Sequence, residues 1–467
     1  MKINTLAILS FFLLFFLLPG EMFAAETVRG VTSNGFSLES LLRGLLGLFV
    51  LLGLGFLLSE RRRMIKWRVV VIGLLVQVVI AILVLKVPFI QLFFEFVGKL
   101  FIKVLESSNA GTEFLFRSFV TGSMEDSLMN FAFRILPTII FFSAITSVLF
   151  YYGIIQKIVY FLALLLKKAL KISGAESLSA TGNIFLGQTE SPLLIKEYLP
   201  KMNKSEIMLV MVGGMATIAG GVLAIYIGLL GGTDPQEQLV FAKHLITASV
   251  MAAPGAVVMA KLLVPQTEPI GSDIEITRDD VGSNILEAIS NGTGQGIRLA
   301  VNVAAMLLVF LAFIYLFNQI LLVIGDWTSL NPVIAEFTNG QYKQLSLEFI
   351  FGLVLSPLAW LLGVPAADIS LVGQLFGEKI ILNEMVAYIS MKDLIEATKF
   401  TDTKSIIMAT YMLCGFANFA SIGILVGGIG ALAPNQRALL GKLGFKALMG
   451  GAMASLLSAT IVGMILG

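Results

Sequence analysis

The sequence predicts an all-α polytopic membrane protein, and three observations carry that prediction. Hydrophobic residues make up 57% of the 467-residue chain and charged residues only 13%, about half the charged share usual in a soluble domain. Apolar runs long enough to cross a bilayer, roughly 20 residues each, recur along the whole length. Lysines and arginines gather in clusters between those runs, as they do on the cytoplasmic side of a membrane protein. A transmembrane β-barrel would alternate apolar and polar residues and read as far less hydrophobic. The net charge of +2 carries no footprint for nucleic acid. A single cysteine, Cys414, excludes an internal disulfide and a cysteine-based zinc site.

Taken in order, residues 1–25 have the form of a signal peptide, with Lys2 ahead of a short apolar core and small residues at Ala24 and Ala25. The alternative is an uncleaved first helix. Residues 37–134 follow as N-terminal scaffold helices, with spans at 37–58 and 69–85 and amphipathic interfacial helices over 91–134. Residues 135–170 hold a transmembrane helix, read as a span over 135–166, with a cytoplasmic lead-in. Further spans fall at 207–230, 239–262, 297–324, 405–429 and 444–466, about eight in all, with both mature termini outside.

Two apolar segments do not read as full spans. Residues 173–199 begin and end beside lysines of one side and contain Gly174, Gly182, Gly187 and Pro192. Residues 348–390 begin and end on the opposite side, broken by Pro357, Gly363, Pro365, Gly373 and Gly377. Both read as re-entrant hairpins, which membrane proteins tolerate only where the backbone lines a cavity or is buried in protein. A glycine-rich, broken span follows each: "GGMATIAGG" (213–221) and "CGFANFASIGI" (414–424). Hairpin, broken span and span thus occur twice with opposite orientation, over 171–264 and 346–467, on either side of a linker and central scaffold helix at 265–345. That is the inverted-repeat design of secondary transporters, with the site at the midplane between repeats.

A carboxylate at membrane depth costs at least about 2.5–3.5 kcal/mol, so each one there needs a reason. Glu190, in "FLGQTESPLLIKEYL" (185–199), and Glu384, in "LNEMVAY" (382–388), fall in the later parts of the two hairpins. The bland reading is a structural ion pair or a protonated acid; the sharper one is a ligand-facing group, supported by adjacent Gln188 and Thr189. Gln188 offers a donor and an acceptor, which suits a nucleobase edge. Asn418 and Ser421 are three apart and share a helix face, where with Glu384 they suit a diol, or serve as packing glue between helices. Asn183 and Thr217 supply neutral oxygens near the broken elements, as a weakly bound sodium ion requires. His244, the one histidine, opens an apolar span and reads as a satisfied helix-end residue. With no His-Glu-x-x-His pattern, common metalloprotease chemistry is excluded and no enzyme is expected.

At "FAFRILPTIIFFS" (131–143), "GNIFLGQTESPLLIK" (182–196), "GGMATIAGGVLA" (213–224), "NEMVAY" (383–388) and "GFANFASIGI" (415–424) the sequence resembles the concentrative nucleoside transporter family. The resemblance runs from about residue 67 to the C-terminus. It implies a homotrimer in which each protomer pairs a scaffold with a transport domain moving as an elevator. It also implies nucleobase contacts from Gln188, Thr189, Glu190 and Val222, with Phe416 as an apolar contact, and ribose contacts from Glu384, Asn418 and Ser421. The family's sodium site maps onto the side chains of Asn183 and Thr217 and the carbonyls of Leu186 and Ile218. Met385 departs from the family's usual phenylalanine. The expectation is sodium-coupled symport of nucleosides of the uridine, cytidine or adenosine type into the cell across a bacterial inner membrane. Sodium is the coupling ion and no cofactor is expected; proton-coupled nucleoside or nucleobase transport is the alternative.

Overall fold

The computed structural model describes residues 27–28, 31–32, 37–118, 122, 124–125, 131–271 and 282–466. The signal-like segment 1–25 and residues 272–281 of the linker lie outside the described residues. In chain order the helices are α1 (Leu38–Leu57), α2 (Trp67–Lys86), α3 (Pro88–Phe116), α4 (Leu136–Tyr151), α5 (Ile154–Leu170), α6 (Gly174–Gly182), α7 (Lys204–Ala216), α8 (Gly220–Gly231) and α9 (Pro235–Leu263). The second half holds α10 (Ile285–Trp327), α11 (Leu330–Phe337), α12 (Leu347–Leu361), α13 (Ile369–Ile381), α14 (Glu384–Glu396), α15 (Thr403–Leu413), α16 (Phe419–Leu432) and α17 (Arg437–Leu466). One order of element types therefore occurs twice. An apolar helix leads through one or two shorter helices to a hairpin, a broken helix and a long closing helix, first over α4–α9 and then over α10–α17.

Among the described residues six helices are long and apolar enough to cross a membrane, taking Lys204–Gly231 as one. The run 135–166 is not the single span expected from its composition: α4 and α5 meet at 74°. Gly153 is the cause. It adopts φ 69°, ψ 18°, a conformation open to glycine, and closes α4 by donating its amide to the Phe150 carbonyl at 2.9 Å. Beyond it, α5 carries Lys157, Lys167 and Lys168 on a largely apolar helix, so the chain turns aside. The seventh expected span, 405–429, is divided between α15 and α16.

The hairpins are short by geometry. The nine residues of α6 rise about 14 Å and the thirteen of α13 about 20 Å, against a hydrocarbon layer of about 30 Å. In the first hairpin the returning limb is 3-10 rather than α-helical, over Ser191–Ile195 and Leu199–Lys201, with Pro192 and Pro200 removing donors. Ser191 Oγ donates to the Ser179 carbonyl at 2.9 Å and ties the limbs together. The second hairpin differs from its expected bounds of 348–390. It is α13 and α14 alone, with its tip at Leu382–Asn383. α12 is a separate helix, turned off at Gly363 (φ +97°) and Pro365 and crossing α13 so closely that a Cβ on Gly373 would sit 3.1 Å from the Gly352 carbonyl oxygen.

Burial separates the helices into two groups. In α9, α17 and the α7–α8 pair, about nine-tenths of the most apolar stretch is buried; in α10 only 6% is. The first two helices pack on that interior, α1 against α17 and α2 against α9. At the loop between them Glu60 accepts from Lys204 Nζ at 2.6 Å and Lys446 Nζ at 2.9 Å, while its amide donates to the Leu263 carbonyl. Partial burial draws the Glu60 carboxyl upward, but the two lysines outweigh it and hold it below its ordinary value of 4.5. Its contribution to stability is therefore whole above that value and is lost as pH falls through the lowered native one. Glu60→Gln is expected to flatten the acid-side fall in thermal stability of the purified protein; an acid limb identical to wild type would contradict this linkage.

Candidate functional site

Two places where the backbone is interrupted converge at the centre of the fold. α7 and α8 are separated by Thr217–Ala219, and α15 and α16 by Cys414–Asn418. The breaks touch: the Phe416 amide donates to the Thr217 carbonyl at 3.3 Å. Gly213 and Gly214 let the first hairpin reach α7, since a Cβ there would lie 3.0 Å from Asn183 Nδ2 and 3.0 Å from Gln188 Cβ respectively. The hairpin tip is fixed to the start of α8 by the Gly220 amide, which donates to the Phe185 carbonyl at 3.0 Å.

A buried polar network crosses from one repeat to the other. Gln188 Nε2 donates to Ser421 Oγ at 3.3 Å, and the Ser421 amide donates to Asn418 Oδ1 at 2.9 Å, which makes Asn418 the N-cap of α16. Asn418 Nδ2 donates to Glu384 Oε2 at 3.0 Å. Glu384 is the first residue of α14, behind the N-cap Asn383, so its carboxylate faces the positive end of that helix. It stands at the start of the returning limb, next to the hairpin tip. Gln188 Oε1 is buried with no hydrogen-bond partner. Thr189 Cγ2 packs toward Gly428 of α16.

Glu190 and Val222 are placed apart from that network. They line a cavity of about 550 Å³ between the first hairpin and helices α4 and α10, with Phe142, Ser147, Asn291 and Arg298 on its far walls. The volume is in the range of small-molecule sites. Phe416 is half-buried at the crossing of the two breaks. Of the residues expected around a nucleobase, Gln188 lies in the closed network, whereas Glu190 and Val222 face the open cavity.

Two residues escaped the sequence reading. Tyr226 OH donates to Glu384 Oε1 at 3.3 Å, and its ring stacks on Tyr388 with centroids 4.0 Å apart. Each tyrosine lies four residues after an expected site residue, Val222 and Glu384, and so on the same helix face. That spacing was the available signal. His244 is not at a helix end: it is buried ten residues into α9, with Nδ1 3.4 Å from Tyr411 OH.

The four expected cation ligands lie on neighbouring segments, at the end of α6 and at the break after α7. Asn183 is the C-cap of α6 and Thr217 the C-cap of α7, and Asn183 lies against Gly213 in the last turn of α7, so two helix C-termini, each carrying partial negative charge, lie close together. Asn183 Nδ2 is used on the Ser179 carbonyl at 2.9 Å, whereas Asn183 Oδ1 is buried and unpaired. Thr217 Oγ1 donates to the Gly213 carbonyl at 2.9 Å, which leaves its lone pairs available. Leu186 and Ile218 lie fully buried in the adjoining irregular segments, where backbone carbonyls are not committed to a continuous helix. Neutral oxygens alone suit a monovalent ion. Among the described residues no cluster of three His, Cys, Asp or Glu side chains offers a site of the transition-metal kind.

Inverted repeats, hairpins too short to span and two broken helices meeting around buried polar groups define a secondary transporter. Family models match almost all of the span: "Na+ dependent nucleoside transporter N-terminus" over 46–119, "Nucleoside recognition" over 132–233 and "Na+ dependent nucleoside transporter C-terminus" over 244–463. An "uncharacterized transporter" of Haemophilus influenzae is 41% identical over 92% of this chain and 98% of its own. "Nucleoside permease NupC" of Helicobacter pylori is 36% identical over 92% and 98%. The solved structure of CNTnw in an inward-facing, substrate-bound state matches with a TM-score of 0.81 at 36% identity, over 91% of this chain and 99% of that one. The chain belongs to the concentrative nucleoside transporter family, and so is a multi-pass membrane transporter rather than an enzyme.

Proposed function

We propose that this chain is a sodium-driven nucleoside symporter of the bacterial inner membrane, importing nucleosides of the uridine, cytidine and adenosine type. The observation that carries the reading is Asn183 Oδ1, a buried acceptor without a partner where two helix C-termini meet. Sodium takes Asn183, Thr217 and the carbonyls of Leu186 and Ile218. Nucleoside takes Gln188, Thr189, Glu190, Val222 and Phe416 around the base and Glu384, Asn418 and Ser421 around the ribose. Gln188 and Ser421 exchange their mutual hydrogen bond for the ligand. The family models' description as Na+ dependent supports the ion.

Coupling follows from position. Asn183 and Gln188 stand on one hairpin five residues apart, and the Thr217 carbonyl holds the Phe416 amide of the opposite repeat. An ion that orders this junction favours the arrangement that binds nucleoside, and by linkage nucleoside raises affinity for the ion. The relative CNTnw has been solved in inward-facing, substrate-bound and outward-facing states, and an elevator movement of the hairpin-bearing core against α4 and α10 is our reading of the same alternation. The bare apolar face of α10 forms the contact of a homotrimer. Residues 1–25 serve as a signal peptide, leaving both mature termini outside.

The test is uptake of labelled uridine into proteoliposomes under imposed sodium or proton gradients, with adenosine, guanosine, cytidine and free bases as competitors. Asn183→Ala is expected to raise the half-maximal sodium concentration at least about fivefold, within the range of ordinary site–site coupling. Uptake driven by protons and indifferent to sodium removal would overturn the sodium reading.

A further inference from the structure

The second repeat buries a cation of its own. Lys379, in the last turn of α13, is fully buried, and its ammonium donates to the Met412 carbonyl at 2.7 Å and to Ser455 Oγ at 3.3 Å. Ser455 Oγ in turn donates to the Cys414 carbonyl at 3.0 Å. Both hydrogen-bond partners of the ammonium are neutral. Glu384, five residues on, is engaged instead by Tyr226 and Asn418. A buried ammonium costs several kcal/mol unless its surroundings offset the lost water, so this position asks what the charge answers.

We propose that Lys379 is a fixed internal cation, standing where the second repeat would otherwise bind a second coupling ion. The correspondence runs element by element. In the first repeat the end of the hairpin's first limb, α6, meets the C-terminus of α7, and there lie the candidate sodium ligands. In the second, the end of the first limb, α13, meets the C-terminus of α15, and there lies the Lys379 ammonium, on a carbonyl of the last turn of α15. Each meeting gathers the partial negative charge of helix C-termini and favours one positive charge. Residues 172–195 and 205–231 of the first repeat contain no lysine or arginine, and its buried Lys261 is paired with Glu176 in the first turn of α6, so the cation at this meeting comes from solution. The second repeat carries its cation covalently. The chain therefore takes up one mobile ion per nucleoside, although its two halves are built alike. This inference rests on the sodium reading above.

The experiment is nucleoside binding to the purified full chain in detergent, measured as a function of sodium. Wild type is expected to show a Hill slope near one. Lys379→Asn, which replaces the ammonium with a neutral oxygen, is expected to bind at least about tenfold more weakly at low sodium. It should recover at high sodium with a slope approaching two, while Lys379→Met, lacking any oxygen, should not recover. A wild-type slope of two overturns the proposal, and that measurement decides the matter alone if the variants do not survive purification. A monodisperse Lys379→Asn whose sodium curve superimposes on wild type also overturns it. Wild-type binding indifferent to sodium is a different result: it overturns the sodium reading, and this proposal with it.

Discussion

With alanine in place of Glu384, nucleoside affinity is expected to fall at least about 30-fold and transport to become undetectable at low substrate. The carboxylate accepts from Asn418 Nδ2 at 3.0 Å and from Tyr226 OH at 3.3 Å, and it is 6% exposed. Hydrogen bonds to a charged group contribute roughly 1.5–3 kcal/mol each. Alanine removes the acceptor proposed for a ligand hydroxyl and also frees Asn418, the N-cap that positions Ser421. Glu384→Gln keeps the volume and should lose less. Equilibrium binding of labelled uridine to monodisperse protein separates this from misfolding, and an affinity equal to wild type would remove Glu384 from the site.

Gly415→Ala is expected to be strongly destabilising for the exchange of a single hydrogen for a methyl group, by roughly 2–5 kcal/mol. Gly415 holds φ +142°, and a Cβ there would lie 2.8 Å from the Ala216 carbonyl oxygen and 2.9 Å from that of Met215. Those are backbone atoms of the other repeat, at the end of α7, and cannot step aside as a flexible side chain would. Relief would require the two breaks to separate, stretching the Phe416–Thr217 hydrogen bond. Gly441→Ala in α17, where a Cβ meets nothing within 4 Å, is the control and should be neutral or mildly stabilising. Thermal unfolding of both variants against wild type checks the pair; equal midpoints would mean the breaks are not held as tightly as this contact implies.

These two residues show what could be read without coordinates. Glu384 was legible because a carboxylate in an apolar run demands a reason, and the broken helices because glycines crowd 213–221 and 414–424. The first hairpin was legible from lysines on one side at both ends. The end of α4 was not: residues 154–166 are nearly as apolar as those before them, and one glycine with positive φ decides the direction of the chain. Nor was the separation of α12 from the second hairpin, since hydropathy records burial in lipid and says nothing of which antiparallel neighbour a helix chooses. The Gln188–Ser421 contact joins residues 233 apart, and no local pattern encodes such a pairing. Tyr226 was hidden by the same averaging, a hydroxyl within a run otherwise read as oil.

The 43 residues of α10 bear on the membrane itself. At 1.5 Å per residue the helix is about 65 Å long, twice the roughly 30 Å of a hydrocarbon layer. Its first turns carry Ser290, Asn291, Gln295 and Arg298 into the cavity, and only the stretch after them is predominantly apolar. A helix of that length either leans steeply or carries its ends into the headgroups, and the balance shifts as the bilayer thickens or thins. The acyl-chain length of the host lipid therefore acts on the wall of the cavity, and the turnover of this transporter should have an optimum in membrane thickness as well as in substrate.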